Sequence, residues 1–184
     1  YIPHHADPSI FYDMKIEKDI DILISGVTKE KHYPLKHKLL KIIQKNKDTK
    51  LRKYKIHFLK HPGYHHDDSY TNRVLINYSK YINRSKICIA CTSKYNYRLV
   101  KYVEIPICGS VVFGDLPYED RNNLKNIIIP IDINYTEDEI INKLLFYLHP
   151  KNKYLLDYKS KIGKKWARNS ITSIYCNNLL NSMK

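Results

Sequence analysis

The sequence predicts an α/β domain, a mostly parallel sheet with helices on both faces and a helical C-terminus, from three observations. Short apolar runs of strand character alternate with longer segments of helical periodicity. Glycine, proline and polar clusters punctuate the boundaries between them. No strand-like run follows residue 154. Strands joined by helices of this length need crossover connections, which make neighbouring strands parallel.

The first strand is read at residues 21–26, Asp-Ile-Leu-Ile-Ser-Gly, a buried run closing on glycine. Residues 33–43 repeat apolar side chains at helical spacing and form the first helix. A second strand at 54–60 is broken by Pro62-Gly63, and a helix at 71–82 ends before Asn83-Arg84-Ser85. The third strand, 87–90, leads through a polar loop to a helix around 99–107. Gly109 ends that helix, and Val111-Val112-Phe113 is the fourth strand. A fifth strand is read at 126–131. Thr136 and Glu139 fit a capping box that opens a helix over 140–148. Residues 150–184 are expected to be helices packed across the end of the domain.

A length of 184 residues suits one domain with one core, and no apolar run approaches the ~20 residues of a membrane helix. The chain starts at Tyr1 without a basic-then-apolar leader, so it reads as a piece of a longer protein. The formal charge of +14 raises a nucleic-acid reading, but only six of the 32 basic residues are arginine. The lysines are scattered, and abundant Lys, Asn, Ile and Tyr suggest an AT-rich coding sequence. A solvated basic surface is therefore favoured over a nucleic-acid footprint. Cys88 and Cys91 form a C-x-x-C, but on a strand side chains three apart point to opposite faces, which disfavours zinc. Core thiols in a reducing, cytoplasmic compartment are the expectation.

Ligands of an open parallel sheet bind beyond the carboxyl ends of its strands. After the first strand stand Gly26 and Thr28, backbone access and a hydroxyl, with a simple turn as the alternative. After the second, Lys60 and His61 offer positive charge and a donor to a diphosphate. His57, His61, His65, His66, Asp67 and Asp68 form a competing metal set, disfavoured because Pro62-Gly63 interrupts the helical spacing it needs. After the third, Thr92, Ser93 and Arg98 precede the helix bearing Glu104, whose N-terminus would attract an anion. Glu104 lies six residues beyond Arg98, ~9 Å along a helix, a separation that suits phosphate at one end and ribose at the other. Lys101 is left open between surface charge and function.

The run from Tyr97 to Gly109, followed by an apolar strand and Asp115, resembles the donor-binding C-terminal half of GT-B glycosyltransferases. It is most similar to the spore-maturation-protein-like branch of the glycosyltransferase-1 superfamily. Residues 1–8 with Phe11 look like the interdomain connection (1–18), residues 33–36 like the first helix of that half, and residues 83–87 like the approach to its third strand. The resemblance implies a Rossmann-like domain that binds a nucleotide sugar. Glu104 would take the ribose hydroxyls, Arg98 and Lys60 the diphosphate, and Thr92 and Ser93 would lie nearby. It implies no metal and no cofactor besides the nucleoside diphosphate sugar itself, and an acceptor-binding N-terminal domain outside this chain. Lys36 and Lys101 stand where relatives commonly carry arginine, and Pro106 interrupts the helix. The competing function is a basic α/β module that holds nucleic acid with lysines and tyrosines. A response-regulator-like scaffold is disfavoured because no acidic cluster ends the first strand.

Overall fold

The computed structural model describes residues 4–61, 68–171, 174, 176, 177, 180 and 181. Residues 62–67, among them His65, His66 and Asp67 of the alternative metal set, lie outside the described residues, as do residues 1–3 of the connection. Five strands form one sheet in the order β2-β1-β3-β4-β5, all neighbours parallel. They are β1 (Ile20–Ser25), β2 (Ile56–Leu59), β3 (Ser85–Ile89), β4 (Val111–Gly114) and β5 (Ile129–Pro130). The helices are α1 (Pro34–Asn46), α2 (Asp68–Asn83), α3 (Lys101–Ile107), α4 (Arg121–Ile127), α5 (Glu137–Leu148) and α6 (Lys153–Ala167).

Strand alternation divides the interior into two layers. Ile22, Ile24, Ile87, Ile89, Val111 and Phe113 face α1 and α5, where Leu39, Ile43, Ile140 and Leu144 meet them. Leu23, Cys88 and Val112 face the other way, onto Ile82 of α2, Tyr102 and Val103 of α3, and Leu124 of α4. Cys88 and Cys91 fall in opposite layers. Helix α6 joins the two, with Leu156 in the first layer and Ala167 in the second. Gly163 lets it approach α3, since a Cβ there would lie 3.2 Å from Pro106 Cβ. Pro106 thus sits at a helix contact one residue before α3 ends.

The capping box forms, with the Glu139 amide donating to Thr136 Oγ1 at 3.2 Å and the Thr136 amide to Glu139 Oε2 at 2.7 Å. The expected fifth strand over 126–131 is shorter. Residues 121–127 are helical, and only Ile129 and Pro130 pair with β4. Leu124 and Ile127 are buried at helical spacing while Ile129 enters the sheet, so one isoleucine run serves two elements. The polar turn Arg121-Asn122-Asn123 conceals the helix from a periodicity argument.

The segment before β1 is anchored at the opposite end of the sheet from the strand C-termini. Lys18 Nζ donates to the carbonyls of Asn83 (3.0 Å) and Ser85 (2.9 Å) and to Ser110 Oγ (2.9 Å). Ala6 bridges to Ile171 beyond α6. Among the described residues no helix is long and apolar enough to cross a membrane.

Candidate functional site

The site begins at the turn that ends β1. Gly26 has φ +79°, a left-handed conformation that suits glycine. A Cβ there would meet Lys101 Nζ at 3.0 Å and Lys36 Nζ at 3.7 Å. Two lysines from different helices therefore converge on one backbone turn. Lys36 Nζ donates to the Ser25 carbonyl. Lys101 Nζ donates to the same carbonyl at 3.1 Å and to Ser25 Oγ at 2.9 Å, and lies 4.9 Å from the centroid of the Tyr78 ring.

Burial of these charges shifts their titration. Burial and the neighbouring Lys101 push the Lys36 ammonium down to about 7. Lys101 is also lowered by burial, with Glu104 opposing the shift. His61, beyond the end of β2, is held below the usual imidazole range by burial and then by the charges of Lys101 and Lys36. The half-buried Tyr78 is raised well above the usual phenol range, first by burial and then by Glu104.

Glu104 is the acidic member of the cluster. It lies in the first turn of α3, one turn after Lys101 and 7% exposed. Burial raises its carboxyl to about 7, with Lys101 pulling the other way. Lys101 is nevertheless spent on Ser25, and among the described residues the Glu104 carboxylate accepts no hydrogen bond and forms no ion pair. Its oxygens are not fully enclosed, since Arg98 Nε is the one fully buried side-chain polar atom without a partner among the described residues, so the carboxylate is open to a ligand's donor.

The remaining expected residues lie as follows. Gly26 and His61 belong to the cluster. Lys60 is exposed at the end of β2. Thr28 is half-buried, and its carbonyl lies 3.1 Å from His37 Nδ1. Thr92 is committed to Asp115, its amide donating to Oδ1 at 2.7 Å and its hydroxyl to Oδ2. Ser93 Oγ accepts the Tyr95 amide at 3.2 Å. Thr92 and Ser93 line a cleft of about 540 Å³ beyond β3, β4 and β5, with Pro34, Asn96, Tyr118 and Arg121 also on its walls.

Arg98 precedes the helix bearing Glu104, as the sequence reading has it, and its guanidinium is turned to protein partners. It lies in the loop before α3 and is 3% exposed. Its guanidinium pairs with Asp120 at 2.9 Å, donates to the His4 carbonyl at 3.0 Å and stacks over Trp166 at 5.4 Å. Those contacts tie the loops after β3 and β4 to the N-terminal segment and α6. The cation that acts on Glu104 is Lys101, and Lys36 meets Lys101 at the Gly26 turn. A signal for Lys36 was present: Lys36, Leu39, Ile43 and Asn46 form one buried helical stripe, and a lysine in such a stripe needs a reason.

No family model matches the sequence, and no curated protein matches it. Solved structures match the fold. Sucrose-phosphate synthase from Thermosynechococcus elongatus superposes with a TM-score of 0.62 at 11% identity, covering 99% of this chain and 52% of that one. TarM matches with a TM-score of 0.62 at 13% identity, over 94% of this chain and 36% of that one. A TarM variant from S. aureus in complex with fondaparinux, α-GlcNAc-glycerol and UDP matches at 0.57 with 14% identity, over 94% and 37%. The chain thus spans about half or less of each matched structure. Its five-stranded parallel sheet with a long C-terminal helix is the Rossmann-like half of a GT-B fold.

Proposed function

We propose that this chain is the donor-binding domain of a glycosyltransferase, and that it holds the nucleoside diphosphate of a nucleotide sugar at the end of β1. The observation that carries the reading is the unpartnered Glu104 carboxylate in the same helix as Lys101, which meets the buried Lys36 on the Gly26 turn. A ligand with an anionic diphosphate and a neutral diol fits both halves of that arrangement. Lys36, Lys101 and His61 take the diphosphate, and Glu104 accepts the ribose hydroxyls. The matched TarM structure that contains UDP supports this class of ligand. The cleft lined by Thr92 and Ser93 adjoins the loops concerned and gives the transferred sugar a place.

In such a reaction the bond from the anomeric carbon to the diphosphate oxygen breaks, and negative charge develops on the departing diphosphate. Fixed cations in a dry site stabilise that charge without reorganising. Lys36 and Lys101 supply it here, and the Gly26 turn lets backbone approach the phosphates. Arg98 acts as a positioning residue that fixes the loops after β3 and β4. An acceptor-binding N-terminal domain would complete the cleft, and the resemblance to the spore-maturation-protein-like branch rests on the ordered sequence motifs.

A thermal-shift screen against UDP, GDP, ADP, TDP and CDP tests the reading. At least one is expected to raise the melting temperature, because a ligand that binds only the native state stabilises it. No response to any of the five would contradict the proposal.

Binding is also expected to take up a proton. With the site empty and Lys36 titrating at about 7, most Lys36 is neutral at about pH 8. A diphosphate favours the ammonium, so the bound state holds more protons and affinity falls as the pH rises above about 7. Calorimetry in buffers of different ionisation enthalpy measures the uptake directly. Lys36→Met is expected to abolish most of it; uptake unchanged in that variant would assign the proton elsewhere.

A further inference from the structure

Helix α6 carries a surface that the donor site does not use. Lys151, Tyr154, Tyr158, Lys161, Lys165 and Arg168 follow one another at spacings of three and four, and all six are exposed. Tyr154, Tyr158, Lys161 and Lys165 lie on α6 itself and, at 3.6 residues per turn, fall within an arc of about 60° and a length of ~16 Å, while Lys151 and Arg168 stand in the short 3-10 turns just before and after it. The rings of Tyr154 and Tyr158 are 65% and 59% exposed, in the middle of the row.

The cations on this helix divide by face. Those off the row are engaged: Lys153 pairs with Asp157 at 2.6 Å, Lys159 donates to the Asn126 and Ile128 carbonyls, and Lys164 pairs with Asp13 at 2.7 Å. The side chains of Lys151, Lys161, Lys165 and Arg168 form no ion pair or hydrogen bond among the described residues. The only acid of α6 is Asp157, already neutralised by Lys153. Four uncommitted positive charges, two on α6 and one at each of its ends, flank two amphipathic rings and are complementary to an anionic surface.

We propose that this face of α6 docks the protein onto anionic phospholipid, with the cations among the headgroups and the two tyrosines at the interface. Tyrosine favours the headgroup level of a bilayer, where its ring is buried and its hydroxyl stays hydrated. Three of the four cations are lysines, point charges suited to diffuse attraction rather than bidentate reading of bases. Helix α6 packs its other side on α3 and α4.

Co-flotation of the full chain with vesicles of phosphatidylcholine alone, or with phosphatidylglycerol added, tests this. Binding is expected only to the anionic vesicles and is expected to weaken with salt. Each lysine near such a surface contributes about fivefold in affinity, so Lys161→Glu with Lys165→Glu should lower it on the order of tenfold or more. Tyr154→Ser with Tyr158→Ser should weaken it at unchanged charge. Lys41→Glu with Lys80→Glu, the same charge change at exposed positions on other helices, should have little effect. Failure to float with anionic vesicles, or equal loss in both reversal pairs, would overturn the proposal. So would stripe-dependent binding to single-stranded nucleic acid without vesicle binding.

Discussion

Gly114→Ala is expected to unfold the domain or leave it marginally stable. Gly114 ends β4, next to the point where Ala90 leaves β3, and a Cβ would fall inside the contact radius of the Ala90 carbonyl oxygen and 2.8 Å from its carbon. Neither neighbour is the movable tip of a side chain. The Ala90 carbonyl is fixed from behind by the Tyr102 hydroxyl at 3.3 Å, and that hydroxyl also donates toward the Asp115 carbonyl at 2.6 Å. Relief requires β3 and β4 to separate where they support the Thr92–Asp115 contact and the Ile131 amide bond to the Gly114 carbonyl at 2.9 Å. Overpacking against immovable backbone belongs to the small class of substitutions that cost ~4 kcal/mol or more, close to the whole stability of many domains. Urea unfolding followed by circular dichroism measures the loss. Gly163→Ala is the comparison: its Cβ would lie 3.1 Å from the Ile127 Cγ2 methyl, and alanine's helix preference of about 1 kcal/mol offsets that crowding. Equal midpoints for wild type and Gly114→Ala would contradict this account of the β3–β4 approach.

Lys36→Met is expected to separate binding from stability. The buried ammonium is a cost to the empty fold, as its titration at about 7 records. Between about pH 7 and lysine's ordinary 10.5, the unfolded chain holds a proton that folded Lys36 has released. The unfolded state therefore binds more protons, and the protein gains stability as the pH rises through that window. Methionine fills similar volume without the charge, and the Ser25 carbonyl keeps its bond from Lys101. The variant should match or exceed wild type in melting temperature at pH 7 and lose that pH slope. Its affinity for nucleoside diphosphate should fall on the order of 10- to 100-fold, the worth of a charge-assisted hydrogen bond. Lys101→Met should weaken binding similarly but gain less in stability, because Ser25 Oγ loses its donor. Unchanged affinity in both variants would remove the diphosphate from this cluster.

Much of the fold could be read from residue pattern. The buried strands β1, β3 and β4 are short β-branched runs in a chain whose helices are longer and periodic, and the Thr136–Glu139 box marks its helix by direct chemistry. The opposite-facing Cys88 and Cys91 followed from strand alternation alone. Helix α4 was hidden because its polar first turn leaves only Leu124, Ile127 and the shared isoleucine run to report it. The positions of Glu104 and Gly26 were legible, an acid in an apolar helix and a glycine closing a strand. Arg98 and Lys36 show the boundary of that reasoning. Sequence spacing placed Arg98 near a phosphate, but the loop before α3 turns its guanidinium toward Asp120, a partner 22 residues away in sequence that no local pattern reveals. Lys36 was marked only through the family resemblance, as a lysine where arginine is common, and the buried stripe it shares with Leu39 and Ile43 is the physical reason for its position.

The central claim is that one ligand spans the lysine pair and Glu104, with the ribose on the carboxylate. Calorimetric titration of wild type and Glu104→Ala with a nucleoside diphosphate and its 2′-deoxy form tests it most directly. Wild type should prefer the ribose form on the order of tenfold or more, since a hydroxyl donating to a buried carboxylate is a charge-assisted bond. Glu104→Ala should bind both forms weakly and alike. A ribose preference that survives in Glu104→Ala, or none in wild type, would contradict the assignment.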